Sequence, residues 1–225
     1  MKNIVTKFTM LMFSAIALFG VMSCGKLDVV GSDSKKSFER LLEVNGGAIS
    51  KDEMNGGWSL ASPDGQARFV WSWDYSASPL HDVMLVFDAM PFIAAGLDPE
   101  QLPPDIAYYD DMIMVGAKLG DEQFSAETPL AAYEHIVDKH RSAIGYHASL
   151  DHYGVSVGGG NLFEWAKDMN TNEKDIVFVL NPDPFIAAGV QPDSIPGWAF
   201  AKVTIDDENG KPVEVDKILK PFNLK

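Results

Sequence analysis

Two stretches decide the architecture: Asp82-Val-Met-Leu-Val-Phe-Asp-Ala-Met-Pro-Phe-Ile-Ala-Ala-Gly-Leu-Asp-Pro-Glu-Gln-Leu-Pro103, and Asp175-Ile-Val-Phe-Val-Leu-Asn-Pro-Asp-Pro-Phe-Ile-Ala-Ala-Gly-Val-Gln-Pro-Asp-Ser-Ile-Pro196. They align without a gap at an offset of 93 residues, with 10 of 22 positions identical and an unbroken Pro-Phe-Ile-Ala-Ala-Gly at the centre. Self-similarity on this scale is the mark of a duplicated structural unit. Outward from the centre the match weakens. Phe69-Val-Trp71 aligns with Phe163-Glu-Trp165 once a one-residue gap is allowed, and Pro63-Asp64-Gly65 falls near Gly158-Gly159-Gly160, both turn compositions.

Each copy reads as the same series of elements. A helix opens it, over Ser34–Val44 with Phe38, Leu41 and Leu42 on one face, and over Thr128–His140 with Leu130, Tyr133 and Val137 as the apolar stripe. Thr128 suits the N-cap and Pro129 the first helical position. A hairpin follows, Gly57–Ala61 with Ala67–Asp74, and His147–Val157 with Leu162–Lys167. The continuously apolar Val83–Phe87 and Ile176–Leu180 predict strands buried on both faces, hence central. Pro-Phe-Ile-Ala-Ala-Gly then makes a short helix ended by Gly96 or Gly189. Closing strands are expected over Tyr108–Val115 and Trp198–Ile205, and a last short helix over Val215–Lys220. The fold class is therefore α+β: two tandem copies of an α-β-β-β-α-β unit, residues 34–120 and 121–225, packed as a pseudo-symmetric pair. A unit of about 90 residues buries only a modest core alone, and pairing remedies that. A groove between the copies is the default ligand site.

The N-terminus gives an address. Lys2 and Lys7 precede an uncharged apolar stretch from Phe8 to Met22, the shape of an export signal and too short for a membrane span of about 20 residues. The stretch ends Val21-Met22-Ser23-Cys24, which resembles the lipobox of bacterial lipoproteins, although Met22 stands where a smaller residue is commoner. The resemblance covers the first 24 residues and implies cleavage before Cys24 and lipidation of that cysteine, with residues 24–33 as the lipidated N-terminus and tether. Several acyl chains anchor stably where one holds marginally. Gly25, rather than aspartate, after Cys24 favours the outer membrane. Cys24 is the single cysteine, so lipidation leaves no disulfide, thiolate nucleophile or cysteine metal ligand.

Charge excludes another class. Loss of residues 1–23 removes Lys2 and Lys7 and no acid, leaving 16 basic against 32 acidic side chains, a formal charge of −16. Such a surface repels phosphate backbones, so a nucleic-acid partner is not expected. No later apolar run is long enough to span a membrane, because Asp88 and Asp183 interrupt the two most apolar segments.

Candidate chemistry is sparse. Pro-Phe-Ile-Ala-Ala-Gly has no ionisable or hydroxyl group, so it reads as a packing element, or else as pocket wall through Phe92 and Phe185. Trp58, Trp71, Trp73 and Tyr75 cluster in copy one, and Trp58 and Trp73 are candidate stacking surfaces for a ligand. Four of the five histidines lie at 135, 140, 147 and 152. His135 and His140 on a helix would point about 140° apart, and His147 and His152 on one strand would face opposite ways. A cross-element pair, His140 with His147, is left as the candidate metal or haem ligand set. Asp105, Asp110 and Asp111 lack the spacing of a calcium loop, and the glycine run 158–160 has no following lysine and reads as a turn. No Gly-x-Ser-x-Gly occurs, and Asp151-His152 alone makes no triad.

The expected function is a non-enzymatic, lipid-anchored envelope lipoprotein that binds a small molecule or an envelope protein, with no cofactor beyond the lipid. A metal- or haem-binding lipoprotein using His135–His152 is the alternative, and an envelope hydrolase built from scattered Asp, Ser and His is a third class.

Overall fold

The structure, a computed structural model, describes residues 24–76, 81–148, 150–169, 174–206 and 211–224; residues 1–23, on which the export-signal reading falls, lie outside them. The described residues form four α-helices and two six-stranded antiparallel sheets, a mixed α+β fold with a duplicated sheet. Helix α1 (Cys24–Asn45) leads into β1 (Ile49–Asp52), β2 (Gly57–Ala61), β3 (Ala67–Ser72) and β4 (Val83–Asp88). Then come α2 (Met90–Ala94), β5 (Ile106–Tyr109) and β6 (Met112–Ala117). The second copy runs α3 (Pro129–Lys139), β7 (Ile144–His147), β8 (His152–Gly158), β9 (Asn161–Ala166), β10 (Ile176–Leu180), α4 (Asp183–Ala187), β11 (Ala199–Asp206) and β12 (Pro212–Phe222). The strand order is β1-β2-β3-β4-β6-β5 in the first sheet and β7-β8-β9-β10-β12-β11 in the second, the same path traced twice.

Most expected elements are present. The apolar strands β4 and β10 are central and buried, as continuous apolarity on both faces requires. Thr128 caps α3 by accepting the Ala131 N–H at 3.1 Å, with Pro129 next in line. Four differences have local causes. Helix α1 begins at Cys24 rather than at the expected Ser34: Gly31 is buried beside the Arg141 guanidinium, and Val30 packs on the core. Each copy has six strands rather than four, because β1 and β7 add an edge strand and the closing element is a hairpin. In copy one Asp110 and Asp111, at φ 51° and 59°, turn the expected single strand back on itself. In copy two Pro212–Phe222 is a long strand where a helix was expected over Val215–Lys220; its alternation of side-chain faces is the two-residue period of a strand. Pro221 lies past the end of the β11 pairing at Leu219 and next to the last residue of β12, where the strand is an edge on one side.

The two sheets share one hydrophobic core. Phe69 of β3 stacks on Phe163 of β9 with ring centroids 4.1 Å apart and planes within 2°. Toward the Trp71 and Trp165 ends of these strands the helices cross over. Ser37 of α1 accepts the Trp165 indole N–H at 3.1 Å and donates to the Lys167 carbonyl at 3.2 Å, while Trp71 donates to the Pro129 carbonyl at the start of α3. Phe38 of α1 stacks on Tyr133 of α3 and meets both tryptophans edge-on. Each helix thus contacts the sheet of the other copy, and neither copy has a complete core without the other.

Near the other end of the core the repeated hexapeptides meet. Asp98 donates its N–H to the Ala188 carbonyl and Gln191 donates to the Ala95 carbonyl, both at 2.8 Å, and each pair is the other shifted by the repeat offset. Gly96 and Gly189 have φ of 105° and 96°, and a Cβ on either would sit 2.7 Å from the carbonyl oxygen of the other. Only glycine allows both the backbone conformation and the approach. Phe92 and Phe185 are fully buried, their rings 5.3 Å apart, with Trp198 against Phe92. No helix among the described residues is long and apolar enough to cross a membrane.

Two outcomes follow from this packing. Gly96→Ala and Gly189→Ala are each expected to cost about 2–4 kcal/mol in chemical denaturation, from the left-handed φ plus the displaced carbonyl. Because the two glycines touch, the double variant should lose less than the summed single effects. Asp64 and Lys220, 2.7 Å apart, join a turn of the first sheet to β12. Partial burial pushes the Asp64 carboxyl upward, but Lys220, the Ser62 hydroxyl and the Gln66 N–H outweigh it and hold it at about 2, below its ordinary 3.8. Its folded value being the lower, the pair stabilises above pH 3.8, and that contribution disappears as pH falls from there toward 2. Asp64 is about half exposed, so the effect should stay below about 1 kcal/mol. Asp64→Asn should flatten that part of the stability–pH curve.

Candidate functional site

The residues expected to form a pocket do not form one together. Phe92 and Phe185 lie in the shared core, and aromatic rings of the described residues fill the space between the sheets where they meet. Trp58 and Trp73 meet edge to face at 6.2 Å on the first sheet, with the Lys51 ammonium 5.5 and 5.7 Å from the two rings. This is a small cation–π cluster apart from the phenylalanines. His140 and His147 are also not partners. Each is joined to a different carboxylate, and the four histidines sort into two clusters.

The first cluster lies on the outer face of the second sheet. His147 and His152 are directly paired across the β7–β8 hairpin, so they share a face rather than opposing one another. The turn between them, with Asp151 at φ 51°, falls where the sequence suggests continuous strand. On the same face Glu164 of β9 is almost wholly buried, and its Oε1 lies 2.5 Å from His147 Nδ1. His152 Nδ1 is 4.0 Å from Oε2, which accepts no hydrogen bond. Across the strands the Glu164 row reads Gly145, Gly154, Glu164, Val177 and Pro221. Glycine at 154 leaves the carboxylate stem its space, since a Cβ there would lie 3.3 Å from Glu164 Cγ.

Beside this polar group runs an apolar groove of about 250 Å³. Leu162, Val177, Val179, Val203, Ile205 and Leu219 line it, with Lys174 and Lys217 among its polar members. Burial pulls the Lys217 ammonium below its ordinary value, against the opposing pull of Asp183 and Glu164, and Lys217 donates to the Gly160 carbonyl at 2.9 Å. The first sheet differs among the described residues. Its corresponding row reads Ser50, Ser59, Val70, Met84 and Gly116, with valine in place of Glu164, and Met112 and Met114 pack against Val70, Met84 and Val86.

The second cluster joins the linker between the copies to the end of α3. Glu122 Oε1 lies 2.8 Å from His140 Nε2 and 3.3 Å from His135 Nε2. The two imidazoles converge because His140 has already left the helix, at φ −125° and ψ 49°, so a helical wheel does not apply to it. Phe124 stacks on His135 at 3.6 Å, and Tyr75 packs against both imidazoles. The Glu122 carboxyl is held at about 2, first by its own backbone N–H and then by His140. Burial pushes the Tyr75 phenol well above its ordinary value, helped by Asp82 and Glu122.

The remaining candidates are structural. Asp110 and Asp111 make the β5–β6 turn, with Tyr108 donating to Asp111 at 3.0 Å. The glycine run 158–160, all at positive φ, makes the β8–β9 turn and receives Asn181 and Lys217 on its carbonyls.

Comparison with family models, with curated proteins and with solved structures finds no match for this chain.

Removing His147 would strand a carboxylate that is about 2% exposed. His147→Leu should cost about 2–3 kcal/mol in equilibrium unfolding, whereas adding Glu164→Leu should recover most of the loss. Equal and additive costs would show that the two side chains are energetically independent.

Proposed function

We propose that this chain is a lipid-anchored envelope lipoprotein that binds a small apolar molecule on the outer face of its second sheet. The observation behind the proposal is the contrast between the two outer faces of a duplicated fold. The copies pack as a pseudo-symmetric pair, supported by the reciprocal bonds around Gly96 and Gly189. One outer face is closed by methionines, while the other keeps an apolar groove with a buried carboxylate at its side. Packing alone would favour valine at Glu164, as at Val70, because a buried carboxylate costs free energy unless it is paired. Glu164 lines the groove, and a small shift of its side chain would bring the covered Oε2 to a hydrogen-bond donor on a ligand whose apolar body lies along β9, β10 and β12. Pockets that combine apolar walls with a few polar groups orient small ligands in this way.

Binding is proposed ahead of catalysis because most of the groove lining is aliphatic, with Thr204 its one hydroxyl among the described residues. The anchor part of the proposal rests on the Val21–Cys24 resemblance and the apolar stretch before it.

Intact-mass spectrometry of the chain recovered from membranes tests both parts. A covalent diacylglyceryl and acyl adduct on a chain beginning at Cys24 is expected, together with a noncovalent mass lost on denaturation. A separate titration with anilinonaphthalene sulfonate should show a fluorescence gain that Leu162→Lys abolishes without unfolding the protein. An unmodified N-terminus would remove the anchor. Absence of noncovalent mass, together with dye binding indifferent to Leu162→Lys, would remove the groove.

A further inference from the structure

The Glu122 cluster differs from the groove in position, chemistry and surroundings. Among the described residues it is the one group of three metal-ligating side chains whose donor atoms all lie within 4.8 Å of one another. We propose that Glu122, His135 and His140 form a site for a divalent first-row transition ion, best suited to Zn²⁺, tying the linker between the copies to the end of α3.

The donor set is two imidazole nitrogens and one carboxylate oxygen. Such a set suits zinc and its neighbours and disfavours calcium or magnesium, which prefer oxygen alone. In a tetrahedral site with bonds of about 2.1 Å, neighbouring ligand atoms are about 3.4 Å apart. The Nε2–Oε1 separations of 2.8 and 3.3 Å are already close to that, so binding needs small side-chain shifts rather than a rearranged backbone. An ion would take the place of the hydrogen bonds that both Nε2 atoms now direct at one oxygen. It would also neutralise part of the local negative charge.

The surroundings favour a built site over a chance meeting of surface groups. All three side chains are half-buried. Phe124 lies flat on His135 at 3.6 Å, and the Tyr75 ring sits 5.1 and 5.2 Å from the two imidazoles, so both are held in orientation from behind. The linker is itself anchored: Leu119 and Gly120 donate their N–H groups to the buried Asp82 carboxylate, and Ala126 donates to the Trp73 carbonyl. Glu122 is therefore supplied by backbone tied down on both sides. Three protein ligands leave a fourth position for water, the arrangement of an open zinc site rather than a closed structural one.

The test uses the full chain in detergent, stripped with chelator and titrated with ZnCl₂ by calorimetry, with bound metal counted by mass spectrometry. One zinc per chain is expected. Glu122→Gln, His135→Gln and His140→Gln should each weaken the affinity at least about 10-fold. His147→Gln, in the other cluster, should leave it unchanged. CoCl₂ gives an independent readout on the unmodified chain, since tetrahedral Co²⁺ with nitrogen and oxygen ligands has strong visible bands. Circular dichroism separates lost ligation from lost fold, and Glu122→Gln, on the linker, disturbs packing least. A folded chain that takes up no zinc overturns the proposal. So does zinc uptake that survives Glu122→Gln and either histidine substitution, or uptake abolished by His147→Gln.

Discussion

The structure depends on the burial of two aromatic sheet faces against each other. Phe69 on Phe163, with Trp71 and Trp165 beyond them, forms an apolar surface that neither copy can cover alone. The helices make the dependence mutual, since α1 bonds to Trp165 of the second sheet and Trp71 of the first bonds to the start of α3. A domain of this size, with its helix contributed to the other copy, would expose much of its core, and the two copies therefore form one unit. The Gly96–Gly189 contact is a close backbone approach within that union. Its backbone approach explains why a hexapeptide without any reactive side chain is the best-preserved part of the repeat.

Once the inner faces are committed to the shared core, only the outer faces and connections are free to diverge. On the first sheet Val70, Met84 and Val86 are covered by methionines, whose flexible side chains fill irregular space. On the second, Glu164 stands in the place of Val70, and glycines stand at the positions of Ser50 and Ser59. The exchange replaces a methionine-packed patch with a groove that has a polar corner. The linker diverged separately, because only one segment joins the copies, and it brings Glu122 to the end of α3. Both clusters thus lie where the duplication places no structural demand on the side chains.

The histidines show how far residue spacing can mislead. Helical and strand periodicities place His135 and His140, and His147 and His152, on diverging faces, but each argument assumes that one element runs through both residues. In each pair an element ends between the two, at the close of α3 or at the β7–β8 turn. The carboxylates that join them, Glu122 and Glu164, lie 18 and 17 residues from His140 and His147, too far for local spacing to signal. Nothing short of the folded chain pairs them. One signal for Glu164 was present: a lone charge at a position where the repeat partner is Val70.

The sequence by itself determined the duplication, the α+β class, the central strands and the cap of α3. These follow from local chemistry: apolar periodicity, cap and proline preferences, and an identity too long for chance. Tertiary structure decided the rest. It packed α1, from before the expected Ser34, against the second copy, where Gly31 leaves room for Arg141, and it made Pro212–Phe222 a strand because β10 and β11 offered edges to pair with. It closed the space between the copies and opened a groove outside them, since the aromatic faces had to meet each other before any ligand could be accommodated. Long-range pairing of this kind depends on which surfaces remain to be buried after the local elements form, and no short stretch of sequence contains that information.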